Sequence, residues 1–153
     1  MSDLAKSLAI MGLAWASNCE AKYEPPYTVV KDLVSIHVQS DGSSTEAVDY
    51  CIRIETQAGV NIMGEQRISY VSTLEDVAVT EAYTLQPDGT RVPVTEDRIR
   101  TVDESGGSGE LIYSDAKVKV IIFPQVQVGS MLCYKAHTKQ HTPYFKNHFF
   151  YTR

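Results

Sequence analysis

Residues 45–56 read Thr-Glu-Ala-Val-Asp-Tyr-Cys-Ile-Arg-Ile-Glu-Thr, and from Val48 onward the side chains change character at every step. Val48, Tyr50, Ile52 and Ile54 fall on one side, while Asp49, Cys51, Arg53 and Glu55 fall on the other. A helix would need apolar residues three and four apart. A period of two with one polar face belongs to an antiparallel strand half covered by a core. Burying side chains of this size contributes roughly 1.5–3 kcal/mol each, so four from one strand outweigh any propensity argument. The same alternation puts Cys51 on the polar side.

Upstream, Glu24-Pro25-Pro26 makes a stiff extended lead-in, because proline fixes its own φ and pushes its predecessor toward extended geometry. Residues 27–39 then read as a strand with Val30, Val34, Ile36 and Val38 on one face, a face interrupted by Asp32. Ser40-Asp41-Gly42-Ser43 is a hairpin turn, since Asp-Gly supplies the positive φ such turns require.

Downstream, residues 57–63 contain Gly59 and read as a bend or bulge. Residues 67–71 read as a short strand, and residues 73–76 as a turn before a strand over 77–85, where Val77, Val79, Tyr83 and Leu85 alternate. Gln86-Pro87-Asp88-Gly89-Thr90 forms a second hairpin: Pro87 presets the first turn position and Gly89 accepts the left-handed geometry. Residues 91–94 return from it. Residues 95–110 are polar and end in Ser105-Gly106-Gly107-Ser108-Gly109, a composition that builds no core and reads as a mobile loop. Phosphate-cradling glycine loops open a helix after a buried strand, and Leu111-Ile112-Tyr113 offers no helical pattern. Residues 117–123 alternate again, with Val118, Val120 and Ile122 inward. Val128-Gly129-Ser130 turns into a strand over 131–137, with Leu132, Tyr134 and Ala136 on one face and Cys133, Lys135 and His137 on the other. The chain closes on an aromatic run of Tyr144, Phe145, Phe149, Phe150 and Tyr151 without a clear period. About seven strands joined by turns, with no βαβ rhythm, predict an all-β, antiparallel β-sandwich over residues 27–153.

The chain of 153 residues can bury one core but not two, and 43% apolar with 22% charged residues is a globular composition. A net charge of −5 with basic residues scattered singly argues against nucleic acid. The apolar stretch over residues 7–16 is too short to span a bilayer. With Lys6 before it and Ala14-Trp15-Ala16 at its end, it has the parts of a secretory signal covering residues 1–16, followed by a linker over 17–26. Such a signal places the protein in the periplasm or outside the cell. Asp3 cancels the charge of Lys6, and the competing reading is a short amphipathic helix through Leu4, Leu8, Met11 and Trp15.

Catalytic constellations are weak. Cys19, Cys51 and Cys133 have no metal-ligand spacing, and their spacing does not say which two would pair in an exported protein. A nucleophilic cysteine needs a lowered pKa, usually at a helix N-terminus, with a histidine in reach; Cys51 and Cys133 both fall within strands. Of His37, His137, His141 and His148, the pair His137-x-x-x-His141 invites a zinc reading, but on a strand the two lie roughly 13 Å apart. The adjacent carboxylates Glu75-Asp76, Glu96-Asp97 and Asp103-Glu104 read as solvated loop charges. No catalytic, cofactor-binding or metal-binding residue is therefore assigned, and no cofactor.

The stretch Leu85-Gln86-Pro87-Asp88-Gly89-Thr90, followed by Phe123-Pro124-Gln125-Val126-Gln127-Val128-Gly129-Ser130, resembles the DUF3857 family, in which such a hairpin, a loop and such a strand recur in this order. Tyr23-Glu24-Pro25-Pro26-Tyr27 and the Asp41-Gly42 hairpin look like the family's beginning, so the resemblance covers residues 23–153. It implies an N-terminal β-sandwich module of bacterial multidomain proteins, usually followed by a transglutaminase-like domain that holds the catalytic residues. The expected role is a non-catalytic accessory or recognition domain in contact with such a partner, with a protein or glycan ligand left open. Two competing expectations are a part of the substrate groove of a cysteine transferase or protease, and a stand-alone cell-surface binding module. Cys133 and Lys135 depart from the family's pattern on what alternation makes a solvent face. The family domain would also continue past Arg153 with more strands, so the resemblance implies an incomplete sandwich. Its terminal aromatics are then expected to pack either against a further domain or missing strands, or into the domain's own core.

Overall fold

The computed structural model describes residues 23–104, 115–145, 148–149 and 151. The signal-like residues 1–16, Cys19, the first part of the 17–26 linker and the glycines at 106, 107 and 109 lie outside these. The described strands are β1 (Tyr27–Val38), β2 (Ser44–Ile54), β3 (Glu65–Val71), β4 (Glu75–Leu85), β5 (Arg91–Pro93), β6 (Ile99–Asp103), β7 (Ala116–Ile122) and β8 (Met131–Gln140). They form two antiparallel sheets, a five-stranded one ordered β1-β2-β8-β4-β5 and a three-stranded one ordered β3-β7-β6. The sandwich expectation holds. Its core joins Ile52, Ile54, Leu132 and Ala82 of the larger sheet to Ile121 and Phe123 at the end of the smaller one.

The alternation that decides the fold is kept in β2, where Ile52 and Ile54 are fully buried. Elsewhere bulges break it. In β4 the register slips between Val79 and Glu81, and an extra residue in a strand exchanges the faces beyond it. Strict alternation puts Tyr83 and Leu85 in the core; instead Ala82 and Thr84 are buried, and Tyr83 lies on the outer face beneath the Arg91 guanidinium at 3.7 Å. A second slip between Val29 and Lys31 displaces Val30 from the expected face of β1, an edge strand whose Val30 and Val38 are exposed. In β7 the inward set is also corrected: Val118 and Val120 are buried, but Ile121 rather than Ile122 joins the core cluster.

Two further expectations fail. Residues 57–63 are not a bend but a two-turn helix, α1 (Gln57–Met63), whose Thr56 side chain accepts a hydrogen bond from the Gly59 N–H at 3.3 Å, the usual N-cap role of threonine. Residues 95–104 are not loop: a 3-10 turn (Glu96–Arg98) leads into β6, which pairs with β7 along its length. Cross-strand pairing there overrides the polar composition, with Lys117 bonded to Asp103 at 2.9 Å.

Both hairpins form as read. Gly42 and Gly89 take φ of 88° and 86°, and Asp41 and Asp88 side chains accept backbone N–H bonds from Ser43 and Thr90. The hairpin at 86–90 and the turn at 123–130, far apart in sequence, meet in space. Gln86 donates to the Gln125 carbonyl at 2.8 Å, Gln127 donates back to Gln86 Oε1 at 2.7 Å, and the fully buried Thr84 hydroxyl donates to the Pro124 carbonyl at 2.8 Å. Their recurrence together is thus one packing unit. Thr84→Val, which keeps the shape but strands the Pro124 carbonyl, is expected to lower the unfolding free energy by about 1–3 kcal/mol in urea denaturation.

Candidate functional site

The inner face of the larger sheet changes character along its length. At the end near α1 its rows are mainly apolar, ending in Ile52 and Ile54, with Thr84 the buried polar member. At the other end two successive rows run across the sheet in register: Ser44–Gln140–Glu75, then Ile36–Glu46–Thr138–Val77. Ser44 and Gln140 are buried and satisfy each other through a 3.2 Å hydrogen bond, and the Glu75 carboxylate accepts the Val71 N–H at 3.1 Å. Polar groups so placed are tolerated because each has a partner.

These two rows floor a cavity of about 680 Å3 between the sheets, within the usual range for small-ligand pockets. Ile68 and Ser69 of β3 form part of its wall, and the chain after β8 returns across its mouth with Tyr144, Phe145, Phe149 and Tyr151. The Phe149 and Tyr151 rings stack with centroids 6.3 Å apart and 13° between planes. The four aromatics are 49%, 63%, 39% and 40% exposed, so they form a lip rather than the domain's own core; Phe150 lies outside the described residues. Desolvation first, and the Glu75 carboxylate second, raise the Tyr144 hydroxyl above its ordinary pKa.

Cys51 and Cys133 stand directly opposite one another on β2 and β8 and form a disulfide. This is the pairing that spacing left open. Alternation places both correctly on the outer face but wrongly in solvent: they are buried, flanked in the same row by Lys31 on β1 and Tyr83 on β4. Around them Glu81 receives Lys135 and Arg91, whose hydrogen bonds hold its carboxyl below the ordinary glutamate range. Joined in a disulfide, neither cysteine offers a thiolate.

The other candidates do not converge. His37 lies on β1 and His137 on β8, His141 is just past the end of β8, and His148 bridges to Phe145. Glu75 and Asp76 open β4 rather than a loop, and Asp103 ends β6. The cavity is therefore what residue-by-residue reading misses. Glu46, Thr138 and Gln140 are visible as polar residues on inward positions of β2 and β8, but only strand pairing shows that they share a floor. Among the described residues no helix is long and apolar enough to cross a membrane.

The family model described as "Domain of Unknown Function with solved-structure structure (DUF3857)" matches residues 40–153. A search of curated proteins finds no match. Among solved structures, a "putative protease" from Parabacteroides distasonis ATCC 8503 superposes with a TM-score of 0.71 at 19% identity, covering 78% of this chain and 24% of its own. The chain thus spans about a quarter of that protein's length, and the likeness is one of fold. The CBM3a-L domain with flanking linkers, from scaffoldin cipA of the Clostridium thermocellum cellulosome, gives a TM-score of 0.44 at 10% identity over 84% of this chain and 78% of that one, a likeness too slight to build on.

Proposed function

Since this chain belongs to the DUF3857 family, we propose that it is a non-catalytic recognition domain of a larger exported protein, holding a polypeptide for a catalytic domain of the transglutaminase or cysteine-protease type. The observation that carries the reading is the open cavity with its exposed aromatic lip, a concave surface with convergent polar groups. Two things support the setting. The Cys51–Cys133 disulfide suits an oxidising compartment, in keeping with the signal-like residues 1–16. The fold of a quarter of a protein described as a putative protease fits a module attached to a hydrolase.

The test uses reduced, carboxamidomethylated lysozyme as an unfolded polypeptide. The chain is expected to bind it without cleaving it or incorporating a fluorescent amine into it. Tyr144→Ala/Phe145→Ala is expected to weaken binding about tenfold or more, as loss of aromatic anchors does. Turnover that disappears in Cys51→Ala or Cys133→Ala would overturn the reading, as would binding indifferent to the lip.

A further inference from the structure

We infer that the open edge of β1 takes an extended polypeptide as a further strand of the larger sheet; this rests on the recognition role and names how the polypeptide is held. β1 is the outermost strand of the order β1-β2-β8-β4-β5, and no described strand lies beyond it. The other three edges among the described strands are blunted. β5 ends on Pro93 after three residues, β3 carries Glu65 and Arg67, and β6 carries Arg100 and Asp103. Charge and proline are how natural sheets keep their edges from pairing. In β1, Lys31, Asp32 and the bulge between Val29 and Lys31 all fall before Leu33. From Leu33 to Val38 the strand reads Leu-Val-Ser-Ile-His-Val, with no proline, glycine, lysine, arginine or carboxylate. Such a composition pairs readily where an edge exposes it.

The register says which backbone groups face outward. The Gln39 N–H donates to the Ser43 carbonyl at 2.8 Å, and the pairing then runs without a slip from Val38 opposite Ser44 back to Lys31 opposite Cys51. In an antiparallel pair every second residue bonds the neighbouring strand. Leu33, Ser35 and His37 therefore turn their N–H and C=O groups to β2, and Val34, Ile36 and Val38 turn theirs away from it. An incoming strand meets that outward row of donors and acceptors, the requirement of β-strand addition. Ile36 also lines the cavity. A strand laid along this edge thus continues the Ile36–Glu46–Thr138–Val77 row and turns alternate side chains to the cavity side. A second copy of this chain fits the edge less well, since two chains of net charge −5 repel.

The probe is reduced, carboxamidomethylated lysozyme, added to the 15N-labelled chain while amide hydrogen exchange is followed residue by residue. At saturation, exchange at Val34, Ile36 and Val38 is expected to slow about tenfold or more. At Leu33, Ser35 and His37, already bonded to β2, it should change by less than about twofold. Val34→Pro removes one outward N–H and no bond to β2, a place where an edge strand accepts proline. It is expected to keep the urea midpoint and to weaken binding about tenfold, through the lost hydrogen bond and the ring set against the incoming strand. Should that variant fail to fold, the exchange pattern of the unaltered chain decides alone. Lip-dependent binding with no slowing at Val34, Ile36 and Val38 overturns edge pairing and leaves recognition standing. Slowing that appears without lysozyme as the chain is concentrated, with a dimer in sedimentation, overturns the polypeptide as occupant. If lysozyme does not bind, both readings fall.

Discussion

Cys51→Ala/Cys133→Ala is expected to lower the unfolding free energy by about 2–5 kcal/mol, and the apparent midpoint by roughly 10 °C. The bond joins cysteines 82 residues apart. In the chain-entropy account, closing a loop of that size removes roughly 4.5 kcal/mol of freedom from the unfolded chain, and native disulfides deliver about 2–5. The folded side of the balance changes little, because the two strands are already paired on both sides of the bridge. Urea denaturation with and without a reductant checks this. Reduced wild type should fall to the stability of the double variant, and reductant should leave the variant unmoved. A difference under about 0.5 kcal/mol would show that the bridge adds nothing to the fold.

Gly59→Ala is the second large effect, and here two terms oppose. Within a helix, alanine is favoured over glycine by about 1 kcal/mol. But a Cβ at Gly59 would stand 2.0 Å from the Pro26 carbonyl oxygen and 3.2 Å from Ile54 Cγ2. The oxygen cannot simply step aside. It accepts Glu55 N–H at 3.0 Å and Thr56 N–H at 3.4 Å, which tie the segment before β1 to the end of β2. Forcing that junction apart costs about 1–3 kcal/mol by overpacking, more if both hydrogen bonds go. The clash prevails, and a net loss of about 1–3 kcal/mol is expected in chemical denaturation. A stabilised Gly59→Ala variant would mean that α1 does not pack against Pro26.

How legible is this architecture in the sequence? Strands with a strict period, such as β2 and β8, can be read directly, and so can turns whose chemistry demands a positive φ, at Gly42 and Gly89. The resemblance drawn from residues 85–90 and 123–130 points to the right family. Misreadings have local causes. The bulge after Val79 reverses β4, so alternation assigns Tyr83 to a core that Thr84 occupies. α1 has two turns, too few for a helical period to show, although Thr56 three residues before Gly59 is a usable cap signal. β6 is held by its pairing with β7 and has no apolar face of its own.

The candidate site is harder to see because it is made by register. Glu46 and Glu75 stand 29 positions apart, and only the β2-β8-β4 pairing brings their rows together. The terminal aromatics stand out in the sequence, but their role as a lip over a polar floor depends on where the chain goes after β8. Alternation likewise puts Cys51 and Cys133 on polar faces without sign that they stand opposite each other.

The central claim is that recognition happens in the cavity between the sheets, and amide shift mapping tests it most directly. On titrating the 15N-labelled chain with reduced, carboxamidomethylated lysozyme, the perturbed amides are predicted to be those of Ile36, Glu46, Ile68, Thr138 and Phe145. Gly59, Gln86 and Gln127, at the opposite end, should stay unmoved. Shifts centred instead on the outer face around Cys51 and Cys133, or none at saturating ligand, would contradict it.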